Sequence, residues 1–382
     1  MKTLHLLAPI YLLLFCGFTH AQGVLQKALT STDPRIKQVM KTLAGHELQI
    51  MLTTLSDTQE GPTFKTENFQ ADTTSYFYPA STVKLPVLLL ALEALSKEDL
   101  MAKGITLDTP YRIPGDSARH TMREDATAIL AVSSNEAYNR LFEFLGRDSI
   151  NFRLKRKNLG PIQINHRLST PASARATSKG AVFYPELKDS VEVAGYVSTP
   201  ITPNHLKGLQ KGKAFMNDQD SVVATPFDFS EKNNFPLLTQ QEVLKRFLFP
   251  ELFSIEKGFR IEPRYRDFIL RTMPLFPRDL GYDPQTFYDG YVKFLVYGDS
   301  REQVKNKLKI YNKVGDAYGT LTDNAYIVDD ENGIDFLLTA TLLVNSNGVF
   351  NDNQYDYETQ GLPFLAQLGR EVLKILRAQK NH

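Results

Sequence analysis

The 382-residue chain has no tryptophan and one cysteine, Cys16. A lone cysteine excludes an internal disulfide framework. Charge of one sign is also missing: 44 Lys and Arg stand against 43 Asp and Glu, a formal net charge of +1. That balance excludes the basic footprint of a nucleic-acid partner and a polybasic membrane patch. Beyond the first 21 residues no apolar run approaches the ~18–20 residues of a membrane span, so stable membrane insertion is not expected of the mature chain. Metal-ligand spacing is absent as well. His166 and His205 lie in a polar stretch, no histidine pair has a useful interval, and no metal or cofactor is expected.

What is present begins at the N-terminus. MKTLHLLAPIYLLLFCGFTHAQG carries Lys2, an apolar run from Leu6 to Phe18, and Thr19-His20-Ala21. Residues 1–21 read as a signal peptide cleaved after Ala21, which implies a periplasmic destination. Lipidation at Cys16 is the weaker alternative, because bulky Phe15 precedes it where a small residue is needed. The mature chain, 22–382, then holds no thiol. With 42% apolar residues overall, it can bury a core larger than one ordinary domain.

Periodicity suggests the organisation. Residues 33–43 predict a helix, with Asp33 as cap and Pro34 at its first position. Residues 47–55 and 63–70 read as strands, 81–97 as an apolar helix. Pro86 implies either a kink or a helix start shifted by a turn. Residues 121–145 are helical by pattern, with a polar break at Ser133-Ser134-Asn135. Residues 165–235 turn polar, with short strand-like pieces such as Val191 to Val197. Helical pattern returns at 239–248, 263–272 and about 300–307. Strand-like runs follow at 307–314, 324–328 and 335–344, and an amphipathic helix at 361–378 closes the chain. The expected fold is an α/β lobe, an antiparallel sheet with helices on it, formed from about 30–80 and 300–382. A helical lobe spans about 81–300 with a polar insertion at about 165–235, and a cleft lies between the lobes.

Three stretches carry chemistry. In YPASTVKLP, Ser81 and Lys84 stand one helical turn apart and share a face. Alone, this is a capped helix with a solvated lysine. Ser133-Ser134-Asn135 alone is a polar loop between helices. In YNKVGDAYGTLTDNAYIVD, Lys313 and Gly315 stand on a strand that turns into a partner, which alone is a hairpin with an edge lysine.

In order, S-T-V-K, S-S-N and K-V-G resemble the signature of the penicillin-recognising serine hydrolases, specifically the class A β-lactamase family, S-x-x-K, S-D-N and K-T-G. Tyr78-Pro79-Ala80 before the serine and VSSNEAYNRLFEFLG around the second element strengthen the likeness, which covers about 30–160 and 300–380. The resemblance implies a β-lactamase/transpeptidase-like fold. It implies Ser81 as nucleophile, Lys84 as base and Ser133 as proton shuttle. Asn135, Lys313, Gly315 and Asp316 would bind substrate, with the backbone N–H groups of Ser81 and Asp316 forming an oxyanion hole.

Two departures qualify what the resemblance implies. Val314 replaces a threonine whose hydroxyl helps bind the substrate carboxylate, although Lys313 would still attract an anion. The family's loop glutamate, which activates water for deacylation, has no counterpart in INHRLSTPA, 164–172. Glu186 in YPELK is a distant substitute, and the plainer reading is a solvated carboxylate. The expected function is hydrolysis of an amide such as a β-lactam through a Ser81 acyl-enzyme. The alternatives are a D,D-peptidase or other amidase or esterase on envelope peptides, and a non-catalytic periplasmic binding module. The partner is a small-molecule or peptide amide; oligomeric state is left open.

Overall fold

The computed structural model describes residues 23–58, 61–186, 189–305 and 308–380. The expected leader, with Cys16 and its cleavage point, lies outside the described residues. In chain order the helices that matter are α1 (Val24–Leu29), α2 (Pro34–Lys41), α3 (Lys84–Leu95), α4 (Met122–Val132), α5 (Asn135–Leu145), α6 (Arg147–Arg156), α7 (Leu237–Leu248), α8 (Pro263–Thr272) and α9 (Leu362–Lys380). The strands that matter are β1 (Gln49–Thr58), β2 (Gly61–Phe69), β3 (Gly180–Phe183), β4 (Val191–Ala194), β5 (Ala214–Met216), β6 (Val222–Val223), β7 (Lys309–Ala317), β8 (Thr320–Asp329), β9 (Ile334–Leu343) and β10 (Val349–Phe350).

Five strands form one antiparallel sheet in the order β7-β8-β9-β1-β2, so both ends of the chain contribute to it. Side chains alternate across its two faces. Ile50, Leu52, Leu338, Ala340 and Leu342 bury in one core with α1, α2 and α9. Asp33 caps α2 as expected, its carboxylate accepting the Arg35 N–H at 2.9 Å. The opposite face is polar where it meets α7. Thr53 Oγ1 donates to Gln241 Oε1 at 2.7 Å, and Gln241 Nε2 donates to Thr339 Oγ1 at 3.1 Å. These groups are fully buried, and the hydrogen bonds offset their desolvation.

The second core is centred on α3. Every residue of KLPVLLLALEAL except Glu93 is buried, as a helix apolar on all sides requires. Residues of α4, α5, α6, α7 and α8 share that core. The α-helix begins at Lys84, after a 3₁₀ turn over Ala80–Val83. The shifted start, not a kink, therefore accommodates Pro86, whose missing N–H falls in the first turn. The 121–145 pattern is two helices, and Thr121 opens the first with a reciprocal capping box to Glu124.

The helix expected near 300–307 does not form over 300–305, and 306–307 lie outside the described residues. Side chains claim the backbone donors there. Val304 N–H goes to Asp289 Oδ2 at 2.6 Å and Glu302 N–H to Ser300 Oγ at 3.1 Å, in competition with helical bonding. The polar 165–235 stretch is folded. β3 pairs with β4, β5 pairs with β6, and β5 also lies parallel to β10, which comes from beyond the main sheet.

β7 crosses the Ala80–Val83 turn at Gly315. A Cβ there would stand 2.7 Å from Pro79 O and 2.9 Å from the amide nitrogens of Ser81 and Thr82. All three are backbone atoms and cannot swing aside. Gly315→Ala should therefore lower the unfolding free energy by about 1–3 kcal/mol, read from urea midpoints. An unchanged midpoint would show that the crossing has room to spare.

Candidate active site

Ala80 holds φ at +47°, in the left-handed region that residues with a Cβ rarely adopt. The strain, of order 1–2 kcal/mol, sits directly before Ser81. Ser81 lines a cleft, and Lys84, one turn further on, is completely buried. The hydroxyl of Ser81 has no hydrogen-bond partner among the described residues.

A second left-handed residue ends α4: Ser133, with φ +56°. Ser134 then opens α5 by accepting the Ala137 N–H at 3.2 Å. The polar break is thus a junction of two helices, and it turns Ser133 and Asn135 towards Lys84. Lys84 Nζ donates to the Ser133 carbonyl, to Ser133 Oγ at 3.2 Å and to Asn135 Oδ1 at 2.7 Å. β7 closes the third side. Lys313 Nζ donates to Ser133 Oγ at 2.7 Å and to the Val314 carbonyl at 2.8 Å. A hydroxyl has two acceptor lone pairs and one proton. Both pairs on Ser133 Oγ are engaged by lysines, which leaves its proton for a group in the cleft.

Burial holds the Lys84 ammonium well below the usual lysine range, and the charge of Lys313 adds to the effect; Asp316 and Glu136 oppose it. Burial brings Lys313 down to about 7, against the pull of Asp316 and Asp323. Behind Lys313 lies Lys293, also brought to about 7 by burial. It donates to Met273 O, Ile310 O and Asn312 Oδ1, while Asn312 Nδ2 donates to Asp323 Oδ1 at 2.8 Å.

The cleft encloses about 1200 Å³. Residues 166–174 form one wall, including the stretch in which a loop glutamate was sought; none is there. Ser169 occupies the position next to the motif residues, its Oγ accepting from Asn135 Nδ2 at 3.0 Å. Arg167, 2% exposed, holds this wall in place. It donates to Glu143 Oε1 at 2.6 Å and to the carbonyls of Ser173, Arg175 and Thr177. Glu186 is exposed, follows Pro185, which packs at Gly104, and does not line the cleft.

His166 stacks on Tyr78, and burial lowers it to about 4. The neutral ring donates from Nδ1 to the Arg167 carbonyl at 2.6 Å and accepts the Asn233 N–H at Nε2. Among the described residues no three His, Cys, Asp or Glu side chains are grouped to hold a metal.

Sequence reasoning missed most of the far wall. The β5–β6 hairpin contributes Phe215 to Gln219, and Tyr318, Tyr355 and Tyr357 close the cleft from the C-terminal part. Val314, noted as a lost hydroxyl, is 2% exposed and packs in the core between the sheet and the terminal helices. Across the ladder it faces Asp323.

Residues 32–194 match the model of the β-lactamase enzyme family. That span is less than half of the chain but holds Ser81, Lys84, Ser133 and Asn135. Solved structures resemble the whole fold. A class A β-lactamase from Mycobacterium abscessus is 14% identical, with 89% of this chain and 97% of that one covered and a TM-score of 0.52. A β-lactamase from Xanthomonas campestris pv. campestris is 12% identical over 92% and 98%, with a TM-score of 0.51. A β-lactamase from Desulfarculus baarsii is 15% identical over 90% and 96%, with a TM-score of 0.50. No curated protein matches the sequence. Identities this low speak to the fold alone, and the fold is class A β-lactamase-like. The resemblance to the penicillin-recognising serine hydrolases, read from three short motifs, is borne out. The family match over Ser81, Lys84, Ser133 and Asn135 supports an enzyme of the β-lactamase type.

The electrostatics of the site can be measured directly. In protein with ¹³C-labelled lysine side chains, Lys313 should titrate near 7, well below the ordinary ~10.4. Asp323 favours the charged form of Lys313, so Asp323→Asn should move that midpoint to lower pH. A midpoint that stays or rises would exclude Asp323 as its counter-charge.

Proposed function

We propose that the chain is an exported acyl-transfer hydrolase that opens an amide through an acyl-enzyme on Ser81. The observation that carries this reading is Ser133 Oγ accepting from both Lys313 and Lys84, the lysine one turn after Ser81. Lys84, depressed by burial, takes the Ser81 proton as Oγ attacks the carbonyl carbon. The backbone N–H groups of Ser81 and Asp316 hold the developing oxyanion. Ser133 passes a proton to the leaving nitrogen as the C–N bond breaks, and Lys84 restores it. Asn135 Nδ2, now on Ser169, turns to the substrate amide. Export rests on the leader-like residues 1–21.

The second half of the reaction needs a base for water, and the wall of residues 166–174 offers no carboxylate. β-Lactams are therefore expected to acylate Ser81 and leave slowly. That favours an amidase, peptidase or esterase on envelope peptides as the physiological role over efficient β-lactam turnover. The Ser–Lys–Ser–Lys chain argues against a binding module without chemistry.

With a chromogenic penicillin, the expected result is a burst of one product per protein and then slow turnover, with one adduct in the intact mass that Ser81→Ala lacks. Ser169→Glu, which puts a carboxylate beside Asn135, should shorten the adduct's lifetime by up to ~10²-fold. Rapid turnover without a burst would show that another base serves deacylation, and an equal adduct in Ser81→Ala would remove Ser81 as nucleophile.

A further inference from the structure

We infer that the end of the cleft beside Ser81 selects a substrate bearing a positively charged group, held by the Asp316 carboxylate, in place of a substrate carboxylate. The proposal deepens the acyl-transfer reading and rests on it. Asp316 follows Gly315, where β7 passes the Ser81 turn, and it lines the cleft together with Ser81. Its side chain is open to that cleft and has no hydrogen-bond or ion-pair partner among the described residues.

The cations near it are already committed. Lys84 spends all three donors on Ser133 and Asn135. Lys293 spends its three on Met273, Ile310 and Asn312. Lys313 is bound to Ser133 and Val314, and two carboxylates, Asp316 and Asp323, answer its one charge. Arg167, also on the cleft wall, is tied to Glu143 and three carbonyls. The remaining lining cation, Lys232, lies over the Phe227 ring on the insertion side, with Asp218 and Glu231 as its acidic neighbours.

A substrate carboxylate brought beside Asp316 would thus meet like charge, and the lining lysine, Lys232, stands over Phe227 with acidic neighbours of its own. An ammonium would meet a free carboxylate, and Tyr318 and Tyr357 line the same region. Tyr357 is held there, its hydroxyl oxygen accepting the Gly319 N–H at 2.8 Å. One carboxylate with aromatic faces is a recognised surrounding for an ammonium group.

The test uses three p-nitrophenyl esters of one length: the 6-aminohexanoyl, hexanoyl and adipoyl esters. In each, the Ser81 oxygen forms the new acyl bond, p-nitrophenolate leaves, and the serine proton goes to Lys84. The aminohexanoyl ester should acylate about tenfold or more faster than the adipoyl ester. Asp316→Asn should bring that ratio close to one, and Asp316→Glu should keep it; ratios within one variant cancel any general change in rate. Faster acylation by the adipoyl ester, or a ratio unmoved in Asp316→Asn, would overturn the proposal. Ligand-detected NMR with hexylamine and hexanoate separates the two readings. If no ester acylates Ser81, the acyl-transfer reading fails. Hexylamine binding that Asp316→Asn abolishes would then still support the charge preference, and equal or tighter hexanoate binding would sink it.

Discussion

One close approach organises the site: the backbone of β7 lies against the backbone of the turn that carries Ser81. Only a residue without a Cβ fits at the crossing, and Gly315 is that residue. From this contact the rest follows. Lys313, two residues earlier and on the same side of the strand, arrives at Ser133 Oγ. Asp316, the next residue, is carried to the cleft. The sheet belongs to the chain's two ends and the turn opens the central helix of the other core, so the crossing also joins the two cores. A site built at such a seam gains rigidity from both sides, which a loop-borne site lacks.

The parts of the site set by local covalent spacing were legible in the sequence. Ser81 and Lys84 are one turn apart whatever surrounds them, and Lys313 and Gly315 share a strand face by the two-residue period. The sheet strands were legible in part: only 324–328 of β8 was read, because most of that strand is buried on both faces and leaves little alternation to see. What could not be read came from long-range pairing. β5 has three residues and β10 two, and their parallel partnership joins segments over a hundred residues apart. No local pattern encodes such a contact, so the insertion read only as a polar excursion. The stretch after Gly298 failed differently: its composition suits a helix, but Asp289 and Ser300 take the N–H groups that the helix would use.

Three lysines, Lys84, Lys293 and Lys313, are buried near one another. A core chosen for stability alone would hold apolar side chains there, because desolvating an ammonium is costly and like charges repel. The arrangement makes sense as a way of holding a lysine ready to accept a proton at neutral pH. Lys293 and Asn312 extend the network behind Lys313 to Asp323. The left-handed Ala80 and Ser133 add backbone strain at the same place. Three buried lysines gathered on one constellation, with left-handed backbone at Ala80 and Ser133 beside it, mark where function has overridden stability.

The wall of residues 166–174 is built by a different physical means from the rest. A single buried guanidinium gathers three carbonyls of the following segment and anchors them to Glu143 on α5. The loop is thus shaped by its backbone's bonds to Arg167, and the side chains facing Ser81 are left uncharged. Ser169, bonded to Asn135, puts a hydroxyl beside the motif residues on a wall that has no carboxylate. A hydroxyl at that place can orient a molecule but is too weak a base to deprotonate it. The two halves of acyl transfer are therefore unequally provided for. Two buried lysines and a bridging serine serve attack and departure, while release draws no carboxylate base from this wall.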